Sequence, residues 1–218
     1  MTGQDETERP RRRRAETVER LLDAALETFA EIGFAAASVE DICRRGGFTR
    51  GAFYSSFRTK DELFAALFAR ETARNLALAE QRLAGIEQEA DPVTAAVERC
   101  LSTFRADRTW VLVHTEYRLH SARHPEAAAA LGEHTAALHA RLTDLIEAAA
   151  GRTGVRLAVP ADQLARMVLA LHDGMVVTAV GLPGADDGSA AALERTALIF
   201  LLRSATAGTP DGTTGLPE

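Results

Sequence analysis

The sequence predicts an all-α protein of about nine helices, with an N-terminal three-helix helix-turn-helix domain and a larger C-terminal helical domain. Apolar residues recur with helical period in almost every segment, and no segment shows the sustained alternation of a strand. Capping sequences open several of these segments, and Gly or Pro closes them. The first predicted helix ends at Gly33, and the others cover residues 39–45, 50–57, 61–89, 92–105, 109–124, 125–150, 161–182 and 189–206.

The net charge of -6 hides an uneven distribution. Residues 1–60 hold eleven Lys/Arg and ten Asp/Glu, whereas residues 61–218 hold fourteen and twenty-one. Five of the N-terminal cations are Arg9 and Arg11–Arg14. A basic arm ahead of an acidic body fits a local contact with nucleic acid. A membrane-surface arm or a solubilising tail would have the same composition, so charge alone leaves these alternatives open.

The cysteines and the apolar segments indicate a protein of the reducing cytoplasm. Cys43 and Cys100 lie far apart without a CxxC motif, so neither a disulfide framework nor a zinc ribbon is expected. The N-terminus has no apolar stretch of the kind found in signal peptides. The most hydrophobic segment, residues 164–182, is interrupted by Arg166, His172 and Asp173, and we therefore expect no membrane span or membrane partner.

Enzyme motifs are not found in the sequence. It has no GxGxxG, Walker-type loop, HExxH or GxSxG pattern. His120 and His124 have the spacing of a metal-binding pair, but Pro125 ends their helix and no third ligand is evident. We predict no catalytic residue, no metal and no cofactor. The remaining rival to a DNA-binding protein is a helical interaction module whose basic arm touches membrane lipid.

Two short predicted helices, 39–45 and 50–57, are joined by a tight turn at Gly46-Gly47. This is the helix-turn-helix arrangement, in which the first helix braces and the second enters the major groove of DNA. Cys43 is small where the two helices must cross closely. An ordinary helical hairpin with a glycine turn has the same spacing, so the spacing alone does not decide between the two.

The stretch from Val18 to Leu67 resembles the N-terminal domain of the TetR family of transcriptional regulators. The matching features are Leu21-Leu22…Ala25…Phe29-Ala-Glu-Ile-Gly33, Ser38-Val39…Ile42, and Gly47-Phe-Thr-Arg-Gly51…Phe53-Tyr54…Phe57…Lys60…Leu63. Cys43 and Gly46 stand where the family usually has alanine, and Ser55-Ser56 where a bulkier residue is common. The resemblance implies a DNA-binding regulator that is not an enzyme, most often a repressor.

The resemblance also implies which residues contact DNA. Thr49 would cap the recognition helix and bind a phosphate, and Arg50 would reach base edges, where arginine is the commonest reader of guanine. A solvated surface arginine is the alternative for Arg50. The basic arm could follow the minor groove. The implied DNA-binding residues are Ser38, Thr49, Arg50, Gly51, Tyr54 and Lys60, together with Arg11, Arg12, Arg13 and Arg14.

The helices predicted at 161–182 and 189–206 are apolar nearly all round, which is typical of helices buried on every side. In the family the last two helices form a four-helix dimer interface, and a self-contained core is the alternative. A homodimer implies a pseudo-palindromic double-stranded DNA operator. The candidate interface residues are Leu164, Met167, Val168, Leu171, Met175, Leu193, Leu198 and Leu201.

The family also places a pocket for a small-molecule inducer in the C-terminal domain, and the inducer would release the protein from DNA. The sequence does not identify this ligand. The candidate pocket residues are Phe104, Trp110, His114, Glu116, Tyr117, Arg118, His120 and His172. The expected organisation is a disordered basic arm (1–14), a DNA-binding domain (15–74), a ligand-binding and dimerisation domain (75–206) and a disordered tail (207–218).

Overall fold

The computed structural model describes residues 5–101, 103, 108–181 and 188–207, and it describes the side chains from residue 13 onward, except at 181 and 207. These residues form nine α-helices, which confirm the predicted all-α fold. The helices are α1 (Asp5–Ile32), α2 (Val39–Gly46), α3 (Arg50–Tyr54), α4 (Lys60–Arg82), α5 (Pro92–Leu101), α6 (Arg108–Ser121), α7 (Pro125–Thr153), α8 (Ala161–Gly181) and α9 (Ser189–Ser204).

The chain divides into two compact units. The first contains residues 1–73 and 106–135, and the second contains residues 74–105 and 136–218. We expected the chain to divide once, near residue 74. In the structure α6 and the first part of α7 belong with the N-terminal helices, and α4 and α7 each contribute residues to both units.

The core of the first unit is aromatic. Phe29, Phe34, Phe64 and Tyr117 are all buried. The Tyr117 ring of α6 stacks on Phe64 with 3.7 Å between centroids, and it meets Phe34 edge-on at 4.9 Å. Such pairs add to the free energy gained by burying the rings. This cluster therefore fixes α6 against the N-terminal helices within the unit.

Helix α1 begins at Asp5, so the backbone of residues 5–14 is helical where we expected a disordered arm. Arginine is a good helix former, and the acidic residues Asp5, Glu6 and Glu8 at this end suit the positive end of the helix dipole. The composition of the arm was therefore compatible with a helix except at Pro10, which has no N–H to donate. Of the predicted tail at 207–218, residue 207 lies in a short strand and the rest lies outside the described residues.

Helix α4 ends at Arg82, well before the predicted end at residue 89. Gly85 adopts a left-handed conformation with a φ of 70°, and a 3₁₀ turn, Ile86–Gln88, follows it. The Arg99 guanidinium donates to the carbonyl oxygens of Arg82 (3.2 Å) and Ala84 (3.0 Å). These bonds satisfy acceptors that the end of a helix leaves open. Arg99 of α5 thus stabilises the end of α4 at Arg82.

In the second unit α8 packs against α9, and α5 packs against α9. Two very short strands, β1 (Arg156–Leu157) and β2 (Thr206–Ala207), pair antiparallel. By length and composition α8 could span a membrane, with a mean hydropathy of 1.2 over Ala161–Val180. One side of it nevertheless packs in the interior, where Leu164 and Ala165 are fully buried.

Candidate nucleic-acid interface and internal cavity

Both short helices of the helix-turn-helix begin with a side-chain cap. The Ser38 hydroxyl accepts from the backbone N–H of Asp41 at 3.1 Å, and the Asp41 carboxylate accepts from the backbone N–H of Ser38 at 3.0 Å. Thr49 caps α3 by accepting from the N–H of Ala52 at 3.2 Å. Each cap satisfies donors that a helix start leaves open. The local sequence therefore sets where α2 and α3 begin.

The turn between these helices explains the unusual glycine at position 46. A Cβ on Gly46 would lie 2.8 Å from the Phe48 ring and 3.2 Å from the Ala24 Cβ, so alanine would collide with the ring and crowd Ala24. Gly47 has a φ of 71°, which glycine adopts without strain. The buried Cys43 thiol lies between the helices and donates to the carbonyl of Thr49 at 3.7 Å.

Arg20 of α1 also stabilises this turn, although no sequence pattern indicated it. Its guanidinium donates to the Gly46 carbonyl at 3.1 Å and lies over the Phe48 ring at 4.8 Å. The carbonyl accepts at the end of α2, where a cation is favourable. Because the partner is 26 residues away, no local pattern could have revealed it.

Two of the implied DNA-binding side chains lie exposed on α3. Arg50 forms an ion pair with Glu40 at 2.8 Å, and its guanidinium lies 5.9 Å from the centre of the Tyr54 ring. Tyr54, and then Glu40, raise the pKa of Arg50, which stays charged. The Arg50 side chain is 62% exposed and Tyr54 is 49% exposed. A Cβ on Gly51 would meet only Thr49 Oγ1, at 3.7 Å.

Lys60 is engaged within the protein. Its ammonium donates to the carbonyl oxygens of Phe34 (2.5 Å) and Ala37 (2.8 Å) and lies 4.4 Å from the Phe34 ring centre. Burial lowers the pKa of Lys60. The structure thus gives this ammonium a structural role, tying the start of α4 to the segment between α1 and α2, instead of the free phosphate-binding position that we expected.

The arginine arm is only partly within the described side chains. Arg14 donates to the Ser55 carbonyl at the end of α3, at 3.0 Å, and in this structure it is therefore a support of the recognition helix. Arg13 is exposed. The side chains of Arg11 and Arg12 lie outside the described residues, so their predicted contact with DNA remains a prediction.

Most of the residues predicted to line a ligand pocket pack α6 inside the first unit instead. Tyr117 joins the aromatic cluster, and Trp110 and His114 stack on Phe68 at 6.2 and 5.1 Å. Glu116 and His120 also contact the N-terminal helices: the Glu116 carboxylate accepts from the Phe34 N–H at 2.7 Å, and His120 faces Asp61 at 3.1 Å. Arg118 is exposed, and Phe104 lies outside the described residues.

An apolar cavity of about 150 Å³ lies inside the second unit. Of the seven predicted pocket residues that the structure describes, only His172 lines it. The His172 Nδ1 lies 2.6 Å from the carboxylate of Glu194, which is buried. Burial raises the pKa of the Cys100 thiol, which also lines the cavity, to about 11, so this thiol is neutral. Most of the remaining lining is aliphatic, including Leu83, Val97, Leu142, Ile146, Val168 and Leu202.

The candidate dimer residues fall into three groups by exposure. Leu164 and Leu198 are buried in the chain itself and, with Val168, line the cavity, so Leu164 and Leu198 are corrected to core residues. Met167 and Leu193 are exposed, at 42% and 60%. The half-buried members are Leu171, Met175 and Leu201. Helical period alone missed Phe200, which at 73% is the most exposed large apolar side chain among the described residues.

Two protein families match this chain in sequence. The family described as bacterial regulatory proteins, tetR family, matches residues 21–67. The family described as BetI-type transcriptional repressor, C-terminal, matches residues 89–203, which is more than half of the chain. The chain belongs to the TetR family. It is a helix-turn-helix transcription regulator and not an enzyme, as its sequence predicted.

Individual relatives of this TetR-family regulator agree. It is 29% identical to the HTH-type transcriptional repressor Rv1474c of Mycobacterium tuberculosis over 157 residues, 72% of this chain and 78% of that one. Salmonella enterica GusR has a similar structure, with a TM-score of 0.65 and 25% identity over 86% of this chain and 96% of that one. FadR of Bacillus subtilis, solved with stearoyl-CoA, has a TM-score of 0.67 at 18% identity over 84% and 96%, which shows a shared fold.

Proposed function

We propose that this TetR-family regulator is a cytoplasmic repressor that binds a pseudo-palindromic operator as a homodimer and is released by a small molecule with an apolar chain. The observation that carries the proposal is the exposure of Arg50 and Tyr54 on α3, a helix anchored by the fully buried Phe53. An arginine at the start of a recognition helix reaches guanine, and a tyrosine hydroxyl can bind phosphate.

Exposed apolar side chains on α8 and α9 support the homodimer. On α8, Met167, Ala170, Gly174 and Val177 are exposed and recur at helical spacing along one side. On α9, Leu193 and Phe200 are exposed and lie seven positions apart, which places them on one side of the helix. Apolar surface of this kind marks an interaction site in a protein that is not membrane-bound. A second copy of the chain would bury both stripes, and the two-fold symmetry would match a palindrome.

The cavity of the second unit supports the apolar ligand. Its lining is aliphatic apart from His172, Cys100 and two threonines, so it suits a hydrocarbon group. The ligand of the B. subtilis FadR structure, stearoyl-CoA, carries a long acyl chain. We therefore place acyl compounds first among ligands to test. Helix α4 supplies Ala79 to the cavity and Phe64 to the first unit, so we propose that it transmits occupancy to the DNA-binding helices.

DNA selection is the first test. Fragments bound by the protein would be selected from a random pool, and the bound site mapped by footprinting. We expect one palindromic site, and Arg50→Ala should weaken binding to it by about 1–3 kcal/mol while relaxing one base position per half-site. Binding that depends on salt without any preferred sequence would contradict the proposal.

Sedimentation would test the dimer. We expect Phe200→Glu combined with Leu193→Glu to give a monomer with weaker operator binding. Leu119→Glu is the matched control, because Leu119 is also exposed, at 58%, but lies on α6. A wild-type protein that sediments as a monomer at micromolar concentration would exclude the homodimer.

Thermal denaturation with saturated acyl-CoAs of increasing chain length, and with free coenzyme A as control, would test the ligand class. Ala149→Phe should fill the cavity and remove the stabilisation, because Ala149 lines it. Ala148→Phe on the exposed side of the same helix turn should retain it. Equal stabilisation of wild type and Ala149→Phe would exclude this cavity as the site.

A further inference from the structure

Glu40 holds the arginine at the tip of the recognition helix. Its Oε1 lies 2.8 Å from Nη1 of Arg50. Glu40 is the second residue of α2 and Arg50 the first of α3, so the pair joins the two helices of the helix-turn-helix at their N-terminal ends. The Glu40 side chain is 51% exposed and that of Arg50 is 62% exposed. The contact therefore lies on the surface.

This ion pair contributes little to the stability of the fold. Exposed pairs of this kind contribute little to folding, because water screens the charges and both side chains lose conformational freedom. A carboxylate beside the DNA-reading helix also repels phosphates, which weakens binding to every DNA sequence. Neither effect on its own favours a glutamate at this position.

The geometry of the guanidinium suggests that the ion pair with Glu40 serves DNA recognition. Arginine carries five N–H donors in a rigid plane, and it reads guanine through two parallel bonds to O6 and N7. A bond from Nη1 to Glu40 occupies one edge of the guanidinium and limits the rotation of that plane. The Tyr54 ring, 5.9 Å from the guanidinium carbon, limits it further.

We propose that Glu40 is a positioning residue that orients Arg50 for guanine and thereby sets sequence selectivity. This inference rests on the proposed role of Arg50 as a base reader. At a correct site guanine supplies the acceptors that offset the repulsion between Glu40 and the phosphates. At a wrong site the repulsion remains without that gain, so Glu40 lowers overall affinity and raises selectivity.

Fluorescence anisotropy with full-length protein would test this on three DNAs: the selected operator, the operator with the guanine read by Arg50 replaced, and a scrambled duplex. Glu40→Gln keeps the size of the side chain and removes its charge. We expect tighter binding to scrambled DNA and about a tenfold loss of discrimination at that one guanine. Glu133→Gln, at an exposed position of α7, removes the same charge and should leave discrimination unchanged.

A double-mutant cycle would separate positioning from a structural role. We expect Glu40→Gln to change discrimination little once Arg50 is alanine, because the two residues act on the same base. Additive effects, a change at a different base pair, or unchanged discrimination in Glu40→Gln would overturn the inference while leaving Arg50 as a reader. If Arg50→Ala itself changed no base preference, the proposed reading head would fail as well.

Discussion

The Glu116 carboxylate of α6 accepts a hydrogen bond from the backbone N–H of Phe34, with 2.7 Å between Oε2 and the nitrogen. The preceding residue, Gly33, has a φ of 82° and ends α1. A Cβ at Gly33 would lie 3.0 Å from the same carboxylate oxygen, so glycine both makes the turn and admits the glutamate. The residue that we had assigned to a ligand pocket thus completes the end of the first helix.

Replacing Glu116 tests this contact. We expect Glu116→Ala to lower the free energy of unfolding by about 1–2 kcal/mol, because the N–H of Phe34 loses its charged acceptor. Glu116→Gln keeps an acceptor and should cost less. Chemical denaturation would measure both, with the exposed Glu133→Ala as control. Equal stabilities of Glu116→Ala and wild type would show that the bond contributes nothing.

Two glycines of the helix-turn-helix should respond oppositely to alanine. Gly46→Ala should destabilise the protein by about 1–3 kcal/mol, since the added methyl collides with the Phe48 ring. Gly51→Ala should stabilise it by up to about 1 kcal/mol, because the site has room and α3 is helical there. We also expect Gly51→Ala to weaken operator binding, since the methyl separates α3 from DNA. Thermal unfolding and anisotropy measure the two effects.

Lys60→Ala distinguishes the two roles considered for this residue. Loss of the donor to the Phe34 and Ala37 carbonyls should cost about 1–2 kcal/mol of stability. The slope of log affinity against log salt should stay unchanged, because no phosphate contact is lost. A slope smaller by about 1, with unchanged stability, would restore Lys60 as a phosphate ligand.

The cap of α2 predicts sensitivity to acid. The Ser38 hydroxyl, and then its backbone N–H, hold the pKa of Asp41 below its usual value. A carboxyl with a lowered pKa stabilises the fold above its unfolded pKa, near about 4, and that contribution disappears as the pH falls through the folded pKa. In urea unfolding from about pH 6 to about pH 3, Asp41→Asn should lose less stability than wild type. The exposed Asp144→Asn should follow wild type.

The sequence predicted the parts of the fold that depend on near neighbours. Ser38 and Thr49 cap helices through bonds to residues three positions away, so their roles could be read locally. The contacts of Arg20 with Gly46 and of Glu116 with Phe34 span 26 and 82 positions, and only the packed chain brings them together. No periodicity of a single helix carries that information.

The C-terminal half shows a second limit of sequence reasoning. Leu164 and Phe200 are both apolar residues on apolar helices, yet Leu164 is 1% exposed and Phe200 is 73% exposed. Hydrophobic period indicates that a side chain avoids water, but it does not distinguish the interior of one chain from an interface with another. The predicted pocket residues all have aromatic or charged side chains, whereas the lining of the cavity is mostly aliphatic, a composition that does not distinguish it from an ordinary core.

That cavity also bears on how long the protein persists in a cell. The cavity of about 150 Å³ leaves apolar side chains without packing partners, which weakens the folded state relative to a filled core. A ligand that fills it would stabilise the folded state by an amount that grows with the logarithm of its concentration above Kd. Proteases attack unfolded chains, so a compound that occupies the cavity would spare the protein from degradation. The same molecule would then set both how much regulator is present and how much of it is on DNA.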